Sequence, residues 1–198
     1  MLVYLGFDLP DVAPVCDLAA VHDLQRRLLR EAERMLGPRR GCATIRPATF
    51  VATTTGCTRR VGDTISIELE INALRDWSCC VAELAHELVH ALDGLTGDPS
   101  WLEEGVAGAF GAAMAITMFE DPPMYLFEGD YLEALRLTAS IPDQFAAIKS
   151  LRAQGIALHA VTVQQLMAAA PGLSADHAAL LCRPFRQVPP VLGRYMIG

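Results

Sequence analysis

A pentapeptide near the middle of the chain constrains the fold more than any other feature of the sequence. His86-Glu87-Leu88-Val89-His90 lies inside residues 76–92, where apolar residues recur at helical spacing. Two histidines four residues apart lie one above the other on a single helical face, so both imidazoles can converge on one metal ion. Glu87 is then placed to take a proton from a water on that ion. A tetrahedral catalytic site of this kind needs a third protein ligand and one open position.

The segments before this helix predict a small sheet. Over residues 64–71 apolar and polar side chains alternate, which predicts a half-buried strand in an antiparallel or mixed sheet. Residues 43–55 are rich in β-branched side chains and predict an extended segment, whereas the glycines at 56 and 62 predict a turn over residues 56–63. Residues 17–36 predict a helix that begins after Asp17 and stops at Gly37-Pro38.

Helical patterns dominate the rest of the chain. Residues 101–119 predict a strongly apolar helix, and the proline-containing tail over residues 183–198 predicts an extended strap. We therefore expect an α+β fold in one domain over residues 1–198, with a core at about 17–120 and a mostly helical extension at about 124–198. Four shorter helices are predicted in that extension, at residues 130–139, 142–154, 162–169 and 174–182.

The composition excludes several classes of function. The formal net charge is -7 and no basic cluster is longer than a pair of arginines, which argues against nucleic-acid binding. The longest apolar run, residues 105–119, is shorter than the roughly 20 residues that a membrane span needs. The first ten residues have no basic region ahead of an apolar stretch, and the six cysteines form no C-x-x-C pair. Together these features predict a cytoplasmic protein with reduced thiols.

The third ligand decides which kind of metal site the two histidines belong to. An H-x-x-G-x-x-H continuation would need a glycine and a histidine where this chain has Asp93 and Thr96, so a three-histidine site is excluded. Residues 101–107, Trp-Leu-Glu-Glu-Gly-Val-Ala, instead resemble the W-L-x-E-G-x-A segment of the gluzincins, a family of zinc metallopeptidases whose glutamate before the glycine binds zinc. Glu104 matches that position. Glu103 is its rival, but adjacent helical residues point about 100° apart, so we expect Glu103 to face solvent.

The resemblance runs from the predicted strand through Ala107 and implies a zincin-like core, in which a small sheet covers the active-site helix and a second helix delivers the glutamate. The short linker between His90 and Glu104 is similar to that of compact members, the minigluzincins. The resemblance implies Zn²⁺ on His86, His90 and Glu104, with Glu87 as the general base of a peptide-bond hydrolase. A peptide or protein substrate would add as a strand along residues 64–71, unless that strand is interior or only structural.

Several supporting roles stay open at this stage. Larger gluzincins carry an aspartate one turn after the ligand glutamate, where this chain has Gly108. Asp93 is a candidate to orient a ligand histidine instead, or it caps the turn before Gly94. Cys57 is a candidate inhibitory thiolate ligand. Three residues are candidate donors to a tetrahedral oxyanion, but none lies in a motif and the structural role is favoured for each: Tyr125, Tyr131 and His159.

A different class of function competes with the enzyme. A catalytically silent or self-inhibited module, which binds or regulates, would retain the same core. Glu87 is intact, which favours a working enzyme, since a peptidase that loses activity commonly loses its general base. A tail over residues 183–198 that covers the cleft would give the self-inhibited form.

Overall fold

The computed structural model describes residues 6–52, 56–94, 97–119 and 129–185. In these ranges the chain is an α+β protein, rich in helix, with seven α-helices and four short strands. A short 3₁₀ turn, Pro14–Cys16, precedes the first helix, and a second, Leu158–Ala160, lies between the fifth and sixth. The α-helices are α1 Leu18–Leu36, α2 Trp77–Leu92, α3 Trp101–Met118, α4 Gly129–Ala139, α5 Gln144–Ala153, α6 Val163–Ala169 and α7 Ala175–Leu181.

The first helix follows its sequence signals closely. The Asp17 side chain accepts a hydrogen bond from the Ala20 N–H at 2.9 Å, which satisfies one of the free amides at the start of α1. Apolar residues of its inner face, such as Leu24 and Leu28, are fully buried. The helix ends where Gly37 takes a φ of 96°, a left-handed conformation that suits glycine. The predicted boundaries of this helix are confirmed.

The sheet is built around its longest strand. The strands are β1 Thr44–Ile45, β2 Thr49–Phe50, β3 Cys57–Val61 and β4 Thr64–Leu69. β1 and β2 pair with β4 in parallel, whereas β3 pairs with β4 antiparallel across a two-residue turn. The sheet is therefore mixed, and the purely antiparallel alternative is wrong, because two of its three pairings are parallel. As predicted, the odd-numbered side chains of β4 are buried.

One expectation about this sheet is wrong, and one open alternative is decided. The turn predicted over residues 56–63 is mostly strand, because Cys57–Val61 finds its hydrogen-bond partners in β4. The strand predicted at 64–71 is interior: the carbonyls of Asp63, Ile65 and Leu69 accept hydrogen bonds from the β1–β2 side, and β3 covers the other edge. A substrate strand cannot add along β4, whereas the edge of β3 opposite β4 is unpaired within the described residues.

Helix α2 lies between the sheet and α3, and almost all of it is buried. It begins after Asp76, whose side chain accepts from the Cys79 N–H at 2.9 Å. Glycines let the neighbouring helices come close: a Cβ on Gly111 of α3 would lie 2.6 Å from the Ala82 carbonyl oxygen of α2. A Cβ on Gly105 would lie 1.9 Å from the Thr138 hydroxyl of α4. These approaches bring α3 close to α2 on one side and to α4 on the other.

A buried ion pair ties the later helices to the C-terminal end of α2. Arg152 of α5 donates to Asp93 Oδ1 at 3.0 Å and to the carbonyl oxygens of Leu36, Gly37, Pro38 and Leu92. One apolar cluster extends from α1 through α7. Within the described part of the chain, each helix is too short or too polar to span a bilayer.

Candidate metal centre

Three side-chain atoms converge between α2 and α3. His86 Nε2 lies 3.2 Å from His90 Nε2 and 3.2 Å from Glu104 Oε2, and His90 Nε2 lies 3.7 Å from Glu104 Oε2. All three residues are buried. When a metal is bound tetrahedrally at about 2.0–2.1 Å, neighbouring ligand atoms lie about 3.3 Å apart. The three sequence-predicted ligands are therefore brought together at metal-binding distances.

The donor atoms have few other partners. Glu104 Oε2 is buried and makes no hydrogen bond of acceptable geometry, although it lies 3.2 Å from His86 Nε2. Two imidazole Nε2 atoms face each other at 3.2 Å, where at most one proton can lie between them. A buried polar atom left in this way is costly unless a cation satisfies it. Two imidazole nitrogens and one carboxylate oxygen are a donor set that fits a divalent transition metal.

Opposite charges hold the cluster together without a metal. Burial alone would lower the pKa of His90, but the carboxylates of Glu104 and Glu103 outweigh it, so the pKa of His90 lies well above its ordinary value. Burial alone would raise the pKa of Glu104, but His90 and His86 outweigh it and hold that pKa well below its usual range. A protonated His90 thus neutralises Glu104, and a bound cation would take over the role of that proton.

Glu103 is a part of the site that the sequence did not reveal. The expectation that it faces solvent is wrong: it is buried, and its Oε1 lies 2.8 Å from His90 Nδ1. Adjacent side chains on a helix point about 100° apart. Glu104 therefore points toward the donor cluster, whereas Glu103 points toward Nδ1 of the His90 imidazole. A carboxylate at this nitrogen fixes the ring orientation and leaves Nε2 as the ligand atom.

Asp93 does not orient a histidine, so that expectation is wrong. Its Oδ1 accepts from Arg152, and its Oδ2 accepts from the Leu158 N–H at 2.9 Å. Both oxygens are therefore used by the network that anchors α5 and the following turn. Asp93 is the C-cap residue of α2, ahead of Gly94, whose φ is 73°.

The candidate general base, Glu87, lies beside the cluster and contacts the edge strand. It is buried, and the Thr58 hydroxyl of β3 donates to its Oε2 at 2.6 Å. Sequence reasoning missed Thr58, because it fell inside a predicted turn. Only its pairing in β3 brings this hydroxyl to α2.

Two of the three candidate oxyanion donors lie near the cluster. The Tyr131 ring packs edge-on to the His86 ring, with centroids 6.0 Å apart, and also contacts Phe185 at 5.0 Å. His159 Nδ1 lies 3.9 Å from Glu103 Oε2. Tyr125 lies outside the described residues, as does the tail beyond Phe185.

Cys57 faces away from the metal cluster. Its thiol donates to Glu68 Oε2 at 3.5 Å and accepts from Arg59 Nε at 3.2 Å. Burial raises the pKa of the Cys57 thiol. Since β-strand side chains alternate, Cys57 and Thr58 point to opposite faces of the sheet. The proposed thiolate ligand is therefore wrong.

A second buried carboxyl, Glu83, lies one turn before His86 on α2. Its Oε1 accepts from the Glu70 N–H at 2.7 Å, and its Oε2 is buried and has no hydrogen-bond partner among the described residues. Gly56 packs against it so closely that a Cβ there would lie 1.9 Å from Glu83 Oε1. Burial, reinforced by the charges of Glu70 and Glu87, raises the pKa of Glu83 to about 8. Sequence reasoning missed this group, because a single glutamate in a helix usually faces solvent.

Comparison with known proteins adds no assignment. No model of a protein family matches the chain, and neither a curated protein nor a solved structure matches it. The class that the fold and the site define is an α+β protein with a buried His-His-Glu cluster able to hold a metal. Its function rests on the chemistry of that cluster.

Proposed function

We propose that this protein is a zinc-dependent peptide-bond hydrolase of the gluzincin type, built on a zincin-like core. The observation that carries the proposal is the convergence of His86 Nε2, His90 Nε2 and Glu104 Oε2 at 3.2–3.7 Å, with a potential general base on the same helix. The arrangement of the core supports it: α2 packs under the mixed sheet, and α3 brings Glu104 to both histidines.

Zinc is the metal that suits this cluster best. Two neutral imidazoles and one carboxylate are the protein ligands of many catalytic zinc sites, where a fourth position stays open to water or substrate. Magnesium and calcium prefer sites made of oxygen atoms alone, which this cluster does not offer. When bound, zinc lowers the pKa of a coordinated water towards about 7 and polarises a substrate carbonyl.

The protein groups around the metal would each have a separate role in the reaction. Glu87 accepts the proton of the attacking water and returns it to the leaving amine. Glu103 holds the His90 ring through Nδ1. Tyr131, which packs on His86 and is half exposed, is the better supported of the two described candidates for the oxyanion donor, since His159 is turned toward Glu103.

The substrate, in this proposal, is an extended peptide that adds to the free edge of β3. The edge of β3 opposite β4 is unpaired within the described residues. Main-chain hydrogen bonds to such an edge bind a peptide regardless of its side chains. The Thr58 contact with Glu87 supports this edge, because it ties β3 directly to the general base.

Metal content and peptide cleavage test the proposal together. The purified protein, supplied with zinc, is expected to hold about one ion per chain. Glu87→Gln should keep the metal and lose turnover, whereas Glu104→Ala should lose both. His177→Ala, on α7 and outside the donor cluster, is the matched control and should change neither.

Each failure has a distinct meaning in this experiment. A wild-type protein that binds no zinc would overturn the whole proposal. A protein that binds zinc through His86, His90 and Glu104 but cleaves no peptide in a broad peptide library would favour the catalytically silent module. Equal cleavage by wild-type protein and Glu87→Gln would remove Glu87 from its role.

A further inference from the structure

The Thr58 hydroxyl joins the free edge of the sheet to the general base. It lies 2.6 Å from Glu87 Oε2 and 3.1 Å from the Glu87 carbonyl oxygen, and a hydroxyl has only one proton to donate. The shorter contact and the negative charge assign that proton to the carboxylate.

The same residue has its main chain on the outer edge of β3. Val61 pairs with Thr64 across the two-residue turn, so the odd-numbered residues of β3 exchange hydrogen bonds with β4. The β4 carbonyls that face the other side, those of Ile65 and Leu69, confirm this register. The N–H and C=O of Thr58 and Arg60 therefore point outward, toward the edge where a peptide would add.

One residue would thus contact both the general base and the peptide of the proposed reaction. A peptide that pairs with β3 bonds to the Thr58 main chain, while the Thr58 side chain holds Glu87. Because a catalytic group misplaced by about 1 Å can cost a hundredfold in rate, a link of this kind keeps the base aligned with the carbonyl that the edge strand presents.

We infer that Thr58 is a positioning residue, whose hydroxyl aligns the Glu87 carboxylate with a peptide held on the edge of β3. The catalytic part of this inference rests on the proposed function. The hydrogen bond between Thr58 and Glu87 is a property of the folded chain and can be measured without metal or substrate.

Three variants separate the hydroxyl from the shape of the side chain. Thr58→Val keeps the branched shape that suits a strand, and it should lower kcat about 10- to 100-fold with KM changed less than about threefold, as for loss of a hydrogen bond to a charged group. Thr58→Ser restores the hydroxyl and should recover kcat to within about threefold of wild type. Thr64→Val, the same change on β4, should leave kcat unchanged. All three should bind zinc as the wild type does.

A double-mutant cycle gives the readout that does not depend on activity. Unfolding equilibrium constants of the metal-free protein are measured by urea denaturation for Thr58→Val, Glu87→Ala and the pair. We expect the unfolding constant of the double variant to differ about tenfold or more from the value that the two single variants predict together. The control cycle of Thr64→Val with Glu87→Ala should show no such difference.

The outcomes separate this inference from the proposed function. Absence of coupling, or an unchanged kcat in Thr58→Val, or no recovery in Thr58→Ser, would each overturn the inference. If the wild-type protein cleaves no peptide, the proposed function fails, and the coupling alone decides whether Thr58 aligns Glu87.

Discussion

Glu83 should make the stability of this protein fall as the pH rises through neutrality. The carboxyl is buried beneath Gly56; one oxygen accepts from the Glu70 N–H, and the other has no partner in the described part of the chain. Burial raises its pKa from 4.5 to about 8. Between these two values the folded chain keeps a proton that the unfolded chain has lost, so the free energy of unfolding decreases with pH.

The size of the effect follows from the width of that window. Each pH unit lowers the free energy of unfolding by about 1.4 kcal/mol over the range in which only the folded state holds the proton. From pH 4.5 to about pH 8 the loss is therefore on the order of 5 kcal/mol. Below pH 4.5 the carboxyl is protonated in both states and contributes its full stability, and above about pH 8 the loss is complete.

Glu83→Gln isolates this contribution. Glutamine keeps an oxygen that can accept from the Glu70 N–H and has no charge to bury. We expect the variant to match the wild type near pH 4.5 and to exceed its free energy of unfolding by on the order of 5 kcal/mol at pH 9. Urea denaturation followed by circular dichroism at pH 4.5, 7 and 9 measures this difference, in which the titration of all other groups cancels.

An exposed carboxyl provides the control for this comparison. Asp63, in the β3–β4 turn, has a side chain that is 88% exposed. Asp63→Asn should shift stability by a similar small amount at every pH. If the difference between Glu83→Gln and wild type does not grow with pH, Glu83 is ionised in the folded protein and the reasoning from its burial is wrong.

Two further predictions concern the groups that support the site. Glu103→Ala removes the acceptor at His90 Nδ1 and should weaken zinc affinity about 10- to 100-fold in a chelator competition, whereas Glu103→Gln retains an acceptor and should lose less. Equal affinity in Glu103→Ala and wild type would contradict this role. Arg152→Met leaves Asp93 buried and uncompensated, and urea denaturation should show a loss of about 3–5 kcal/mol, against less than about 0.5 for the exposed control Arg26→Met. Similar losses in both arginine variants would disprove the importance of the buried pair.

Elements defined by local patterns could be predicted from the sequence. Asp76 as an N-cap and the apolar periodicity after it predicted the motif helix, which the structure shows as Trp77–Leu92. The alternation in residues 64–71 predicted β4, and the four short C-terminal helices lie close to their predicted ranges. These predictions are right because capping and side-chain periodicity depend on neighbours a few residues away.

Elements defined by a distant partner could not be predicted in the same way. β3 contains Arg59-Arg60 and none of its residues is fully buried, so it lacks the alternation that marks a strand. The hydrogen bonds between β3 and β4 define this segment as a strand. The sequence left open whether β4 is an edge or an interior strand for the same reason, since the edges of a strand are occupied by segments elsewhere in the chain.

The sequence by itself determined the donor cluster: helical geometry alone puts His86 and His90 on one face, and the segment at residues 101–107 pointed to Glu104. Only the tertiary structure decided what surrounds that cluster. Glu103 reaches His90 because α3 packs on α2 at a particular rotation, and Thr58 reaches Glu87 because β3 pairs along β4. Local periodicity specifies which side chains share a face, but the contacts between faces depend on packing across the whole core.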